Sequence, residues 1–172
     1  MKNLGELLAK SWLDKTLLNL DSLEKKDIPS TRIEAFEAQN IFYQSINKKT
    51  VGWKIGAVAK EVQEEEGYDG PVPGKIFEDT FLQMNTKIDF NDIPHSNLEC
   101  EYALKFLKDS KIDNDLEKNL NQIKLFTAID ITSTRYEQTS RDKFNKLVQM
   151  YLGIADHGNG GRIIIGNEIT DW

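Results

Sequence analysis

With 22 Lys and Arg against 28 Asp and Glu, the 172-residue chain carries a formal charge of −6, which excludes the clustered basic surface that grips nucleic acid. That length supports one domain, residues 1–172, with a real core. The single cysteine, Cys100, rules out an internal disulfide and a thiolate-rich metal site and points to a reducing cytoplasm.

Leu4, Leu7 and Leu8 have helical spacing with charges between them. The segment lacks the unbroken apolar run of a signal peptide or membrane span. Glu6 and Asp14 among Lys2, Lys10 and Lys15 deny it the basic face of a membrane-surface helix, so it should pack on the body of the protein. After Pro29, Thr31 and Glu34 have capping-box spacing, and Ala35, Ala38, Phe42 and Ile46 form the stripe of a second helix. Residues 1–48 are therefore expected to be helical and 49–172 to hold the sheet.

Thr50 to Val58 reads as the first strand. Alternation sends Val51, Trp53 and Ile55 to one face and Gly52, Lys54 and Gly56 to the other, leaving Lys54 without a side chain on either flank. Glycine weakens a strand, and its usual return is close approach of a ligand or another backbone. The lysine can therefore reach a small molecule lying across the sheet, or simply snorkel to water. Glu64, Glu65 and Glu66 fit a solvated helix end, and Gly67 to Gly74 fit a loop dense in glycine and proline.

In Leu98 to Leu107, alternation gives an apolar face of Leu98, Cys100, Tyr102, Leu104 and Phe106, which makes Cys100 a packed core thiol. Glu99 and Glu101 share the other face with Cα atoms about 7 Å apart, close enough for both carboxylates to meet one ion. The same pattern also suits a plain solvent face. Asn114 and Glu117 suggest a cap for a short amphipathic helix of Leu116, Leu120 and Ile123. Asp130 ends an otherwise apolar strand, Phe126 to Ile131, and a buried carboxylate there needs a partner. Glu99, Glu101 and Asp130 make a hard-oxygen set suited to Mg²⁺, Mn²⁺ or Ca²⁺. His95 and His157 stand in polar loop sequence and read as surface residues. The glycines between Gly153 and Gly166 fit an anion-binding nest or a hairpin-like turn into a buried strand, at a spacing that matches neither a phosphate loop nor a dinucleotide fingerprint.

Together, Val51-Gly52-Trp53-Lys54-Ile55-Gly56, the Gly67 to Gly74 loop, Glu99-Cys100-Glu101, Ala128-Ile129-Asp130-Ile131 with Arg135, and Ala155-Asp156 followed by Ile165-Gly166 resemble, in order and spacing, the hydratase/decarboxylase branch of the fumarylacetoacetate hydrolase superfamily. The resemblance implies an α+β fold in which N-terminal helices lie beside a mixed, curved β-sheet. It implies Mg²⁺ or Mn²⁺ held by Glu99, Glu101 and Asp130, a small 2-oxo acid chelated through its carboxylate and keto oxygens, and Lys54 as the proton-transfer group. Arg135 would meet a substrate carboxylate or form a structural ion pair, and Asp156 would be a substrate-side acid or one that supports the residues touching the substrate. The function implied is a divalent-metal-dependent lyase. The alternative is a catalytically silent relative serving as partner subunit or small-acid binding module.

The chain departs from the family pattern at five places: Val72 stands where an acid is usual, Asp130 for glutamate, Asn97 for a basic residue, Ser133 for an acid and His157 for asparagine. Family members also continue past the point matching Ile169 to Trp172 with strands that complete the sheet. The expectation is therefore a sheet lacking its C-terminal strands, with open edges that pair in a homo-oligomer or with a second chain. Neither nucleic acid nor a membrane is an expected partner.

Overall fold

A computed structural model describes residues 1–107, 110–111 and 113–172. Helix α1 (Lys2–Asp14) buries Leu4 and Leu8, one turn apart, against helix α2 (Arg32–Ile46), which buries Ala35, Ala38, Phe42 and Ile46 as its spacing predicts. The cap of α2 is one residue wider than expected. Thr31 Oγ1 accepts from the Glu34 N–H at 3.2 Å, but the Glu34 carboxylate returns to the Ser30 N–H at 2.7 Å rather than to Thr31.

Strand β1 (Thr50–Gly56), helix α3 (Lys60–Glu66) and strand β2 (Val72–Phe77) follow. β1 and β2 form an antiparallel pair with Lys54 opposite Gly74 and Gly56 opposite Val72. The expected loop therefore ends at Pro71, because pairing with β1 gives the backbone of residues 72–74 its hydrogen-bond partners. The second sheet is built from β3 (Phe81–Gln83), β4 (Asn97–Phe106), β5 (Ile123–Thr132) and β6 (Arg162–Ile169), interrupted by α4 (Leu116–Leu120), α5 (Gln138–Arg141) and α6 (Lys146–Ala155). Its order is β3-β6-β5-β4, with β3 parallel to β6 and the other pairs antiparallel, so the sheet is mixed and open at β3 and β4. Helices beside a mixed sheet make the fold α+β, as the resemblance implied.

The core lies between α1, α2, α6 and β2, where Leu4, Leu8, Phe42, Phe77, Tyr136 and Leu152 meet. A second cluster of Ala35, Val72, Met150, Tyr151 and Ile154 continues it along α2, β2 and α6. Among the described residues no helix is long and apolar enough to cross a membrane.

Several expectations are corrected. The apolar face of β4 is uncovered: Leu98 is 67% and Tyr102 73% exposed, and Cys100 is exposed rather than packed. The three larger helices spend their apolar stripes on one another and on β2, and among the described residues no helix packs over that face. Helix α4 is capped by Asp115, one residue after Asn114, and it exposes Leu116 and Leu120, while Ile123 already belongs to β5. The glycine-rich stretch links a helix to a strand that pairs on both sides, not a hairpin. His95 is exposed as expected, but His157 is buried. It adopts φ 58° just after α6, and its ring stacks on Phe77 at 4.9 Å and Phe42 at 5.6 Å.

Gly74 is where β2 meets this turn. A Cβ there would overlap the His157 carbonyl, whereas one at Gly56 would sit 3.8 Å from the nearest atom, in ordinary contact. Gly74→Ala is therefore expected to destabilise the protein by about 1–3 kcal/mol and Gly56→Ala by far less, as read from urea unfolding midpoints.

Candidate functional site

On β1 the alternation is realised with the apolar side outward. Trp53 and Ile55 are exposed, and Lys54 faces in, framed by Gly52, Gly56 and the opposing Gly74. With no side chain beside it on this face, the lysine crosses from the two-stranded sheet to β5. Its Nζ lies 2.5 Å from Asp130 Oδ2, and the two side chains are 10% and 5% exposed. Asp130 Oδ1 is also buried and has no hydrogen-bond partner among the described residues. A carboxylate oxygen left alone in this way is costly unless a ligand completes it.

Register places the other acids. Glu99 lies directly opposite Asp130, and Glu101 lies opposite Ala128, so all three carboxylates belong to one face of the sheet. Partial desolvation raises the Glu99 carboxyl above its usual range; Lys54 opposes the rise, while the nearby charges of Asp130 and Glu101 add to it. Among the described residues no three His, Cys, Asp or Glu side chains converge closely enough to hold a metal as they stand. What the set offers is a buried, unpartnered oxygen on Asp130 and two exposed glutamates beside it, all hard donors. That chemistry fits a divalent cation.

Arg135 and Asp156 meet each other. Arg135 Nε donates to Asp156 Oδ1 at 2.5 Å, its backbone N–H to Oδ2 at 2.8 Å, Nη1 to the Gly160 carbonyl at 2.6 Å and Nη2 to the Asp156 carbonyl at 2.9 Å. The Thr134 hydroxyl also reaches Oδ2, at 3.2 Å. Both side chains are buried. Burial pushes the Asp156 carboxyl up and Arg135 pulls it back. Arg135 thus forms an ion pair, and its partner is a buried acid. Asp156 is enclosed by that same pair.

His157, read from the sequence as a surface residue, and Arg162, which the sequence did not single out, stand beside the site. His157 lies against the gap that holds Lys54 and Asp130, and burial together with the charges of Arg135, Lys54 and Lys75 keeps its imidazole neutral. Arg162 borders that gap and also a neighbouring cavity of about 200 Å³. The only signal for Arg162 was a lone cation ahead of three isoleucines.

No protein-family model matches the chain. It is 27% identical over 120 residues to the TodF product hydratase of Pseudomonas putida F1, an alignment covering 70% of this chain and 43% of that protein. Its fold is that of 4-oxalocrotonate decarboxylase from Pseudomonas putida G7, solved with magnesium and adipate and with calcium and acetate. The TM-scores are 0.74 and 0.72 at 18% identity, covering 96% of this chain and 61% of each of those chains. The chain thus spans less than two thirds of the length of these relatives. The sequence similarity to a hydratase agrees with the branch that the motifs resemble, and the likeness to the decarboxylase shows the fold.

Two outcomes follow from the buried charges. Asp156→Asn strands the Arg135 guanidinium and is expected to cost about 3–5 kcal/mol in urea unfolding, more than the paired replacement Arg135→Met with Asp156→Leu. His157, held neutral when folded, accepts a proton near pH 6.5 only on unfolding. Its effect is absent above that pH, and below it stability falls by up to about 1.4 kcal/mol per pH unit. His157→Asn, a residue that tolerates the positive φ, should remove this part of the acid dependence.

Proposed function

We propose that this chain supplies the metal-binding and proton-transfer groups of a divalent-cation-dependent lyase, a hydratase or decarboxylase, acting on a small 2-oxo acid. The observation that carries the reading is Asp130, whose Oδ2 holds the Lys54 ammonium while Oδ1 is buried with no partner among the described residues. Glu99, Glu101 and Asp130 would hold the cation, Mg²⁺ or Mn²⁺. Three carboxylates against one lysine leave a formal charge of −2, the complement of a divalent ion. When bound, the ion would supply Lewis acidity toward the keto and carboxylate oxygens of the substrate.

Lys54 contributes the mobile proton. Asp130 fixes the position of its ammonium, and burial of both side chains excludes water from the transfer path. Similarity to a hydratase and to metal-complexed decarboxylases supports this assignment. The open edge and uncovered face of β4 would be closed by a second copy or another chain, in the cytoplasm.

One observation favours the silent binding subunit as a second reading. Val72, on the same inward face as Lys54 and two positions along β2 from Gly74, is packed among Ala35, Met150, Tyr151 and Ile154. A packed valine there moves no proton.

Calorimetric titration with Mg²⁺, with and without oxalate, tests the site. Binding is expected, tighter with oxalate, and at least about tenfold weaker in Asp130→Asn and Glu101→Ala. Absence of binding even with oxalate overturns the metal reading. Binding without turnover of any 2-oxo acid selects the second one.

A further inference from the structure

A cavity of about 200 Å³ lies between the C-terminal end of α1, the turn before β3 and the start of β6. It adjoins the Lys54 gap along two chain segments: Asp79 lines the cavity and Thr80 the gap, and Arg162 lines both. Trp12, Ile93 and Pro94 give it apolar walls. Its charges do not balance. Lys15, Lys48, Arg135 and Arg162 border it with only Asp79 and Asp92. Lys48 is paired with Asp79, Lys15 with Asp92, and Arg135 with Asp156 behind the wall.

Arg162 is the cation left over. Among the described residues it has no carboxylate within ion-pair distance, and its Nη1 donates to the neighbouring Gly161 carbonyl at 2.9 Å. Half-burial lowers its pKa, although Asp79 and Asp92 draw it the other way. A guanidinium facing a cavity with free donors is matched by a carboxylate, which it can bind with two parallel hydrogen bonds. Drug-sized ligands occupy roughly 300–1,000 Å³, so this space suits something smaller.

We propose that this cavity is a binding site for the carboxylate of a short-chain organic acid, held by Arg162 with its carbon chain against Trp12, Ile93 and Pro94. One unmatched positive charge calls for one singly charged group. The carboxylate could be the far end of an acid whose other end lies at Asp130, or it could belong to a separate small acid; the recognition at Arg162 is the same.

The test is calorimetric titration of the protein with butyrate, without metal, on the wild type, Arg162→Gln and Arg162→Lys. Saturable binding is expected, weakened at least about tenfold by Gln, which removes the charge-assisted bonds, and less by Lys, which keeps the charge. Unchanged circular dichroism and urea midpoint in both variants separate lost binding from lost fold. Titration with Mg²⁺ and oxalate then distinguishes the sources. A six-carbon dicarboxylate that displaces oxalate and binds far more tightly than butyrate identifies the far end of one acid. Simultaneous binding of butyrate and oxalate identifies a separate ligand. No saturable butyrate binding by the wild type, or equal binding by Arg162→Gln, overturns the proposal. Neither outcome depends on the metal reading, which the Asp130→Asn titration tests separately.

Discussion

The buried ion pair of Arg135 and Asp156 is the constraint on which the rest of the arrangement hangs. Arg135 follows β5, and Asp156 closes the C-terminal end of α6, so the pair ties a strand end to a helix end. The guanidinium also collects the carbonyls of Asp156 and Gly160, which wraps the turn between them around a charge, and Trp12 lies over it at 5.1 Å. Two charges so far from water are worth keeping only as a mutually satisfied set. Satisfied, they permit one path for residues 156–160. That path drives His157 among the aromatic rings, brings its carbonyl against Gly74 and delivers β6 into register with β5.

Register then places the chemistry. β6 puts Ile163 opposite Asp130, and β4 puts Glu99 opposite it from the other side, so the acid sits in the middle of the sheet and not at its rim. The β1–β2 pair is held over this face because Gly74 packs on the His157 turn, and Lys54, opposite Gly74, is thereby aimed at β5. The lysine and Asp130 are neutral together. The two glutamates are not compensated, and their charge adds to the partial desolvation that raises the Glu99 carboxyl. The candidate site thus depends on a packing contact made through backbone on its far side.

Much of this was legible because it is periodic. The stripe Ala35, Ala38, Phe42, Ile46 and the frame Gly52, Lys54, Gly56 each follow from the geometry of one element, and both hold in the structure. The common face of Glu99 and Glu101 was equally local, whereas the meeting of Lys54 with Asp130 joins two sheets and came only with the fold. Periodicity cannot say whether a face is covered, which is why Cys100 read as core and stands exposed. His157 looked polar by its neighbours in sequence, but four aromatic residues from three distant segments surround it. The pairing of Arg135 with Asp156 spans 21 positions, and no local pattern announces it.

The uncovered face of β4 bears on the site through parity. Leu98, Cys100, Tyr102, Leu104 and Phe106, with Ile129 opposite Cys100, point away from the face that carries Glu99, Glu101 and Asp130. Alternation this regular is the pattern of a strand covered on one side. A body laid on the apolar face would hide it and leave the carboxylates open to a small acid. A strand added along the free edge of β4 would lengthen both faces at once and bring new side chains beside the glutamates. The two modes of covering therefore have different chemical consequences. Only edge pairing can alter the ligand set, because only it adds residues to the face on which the acids stand.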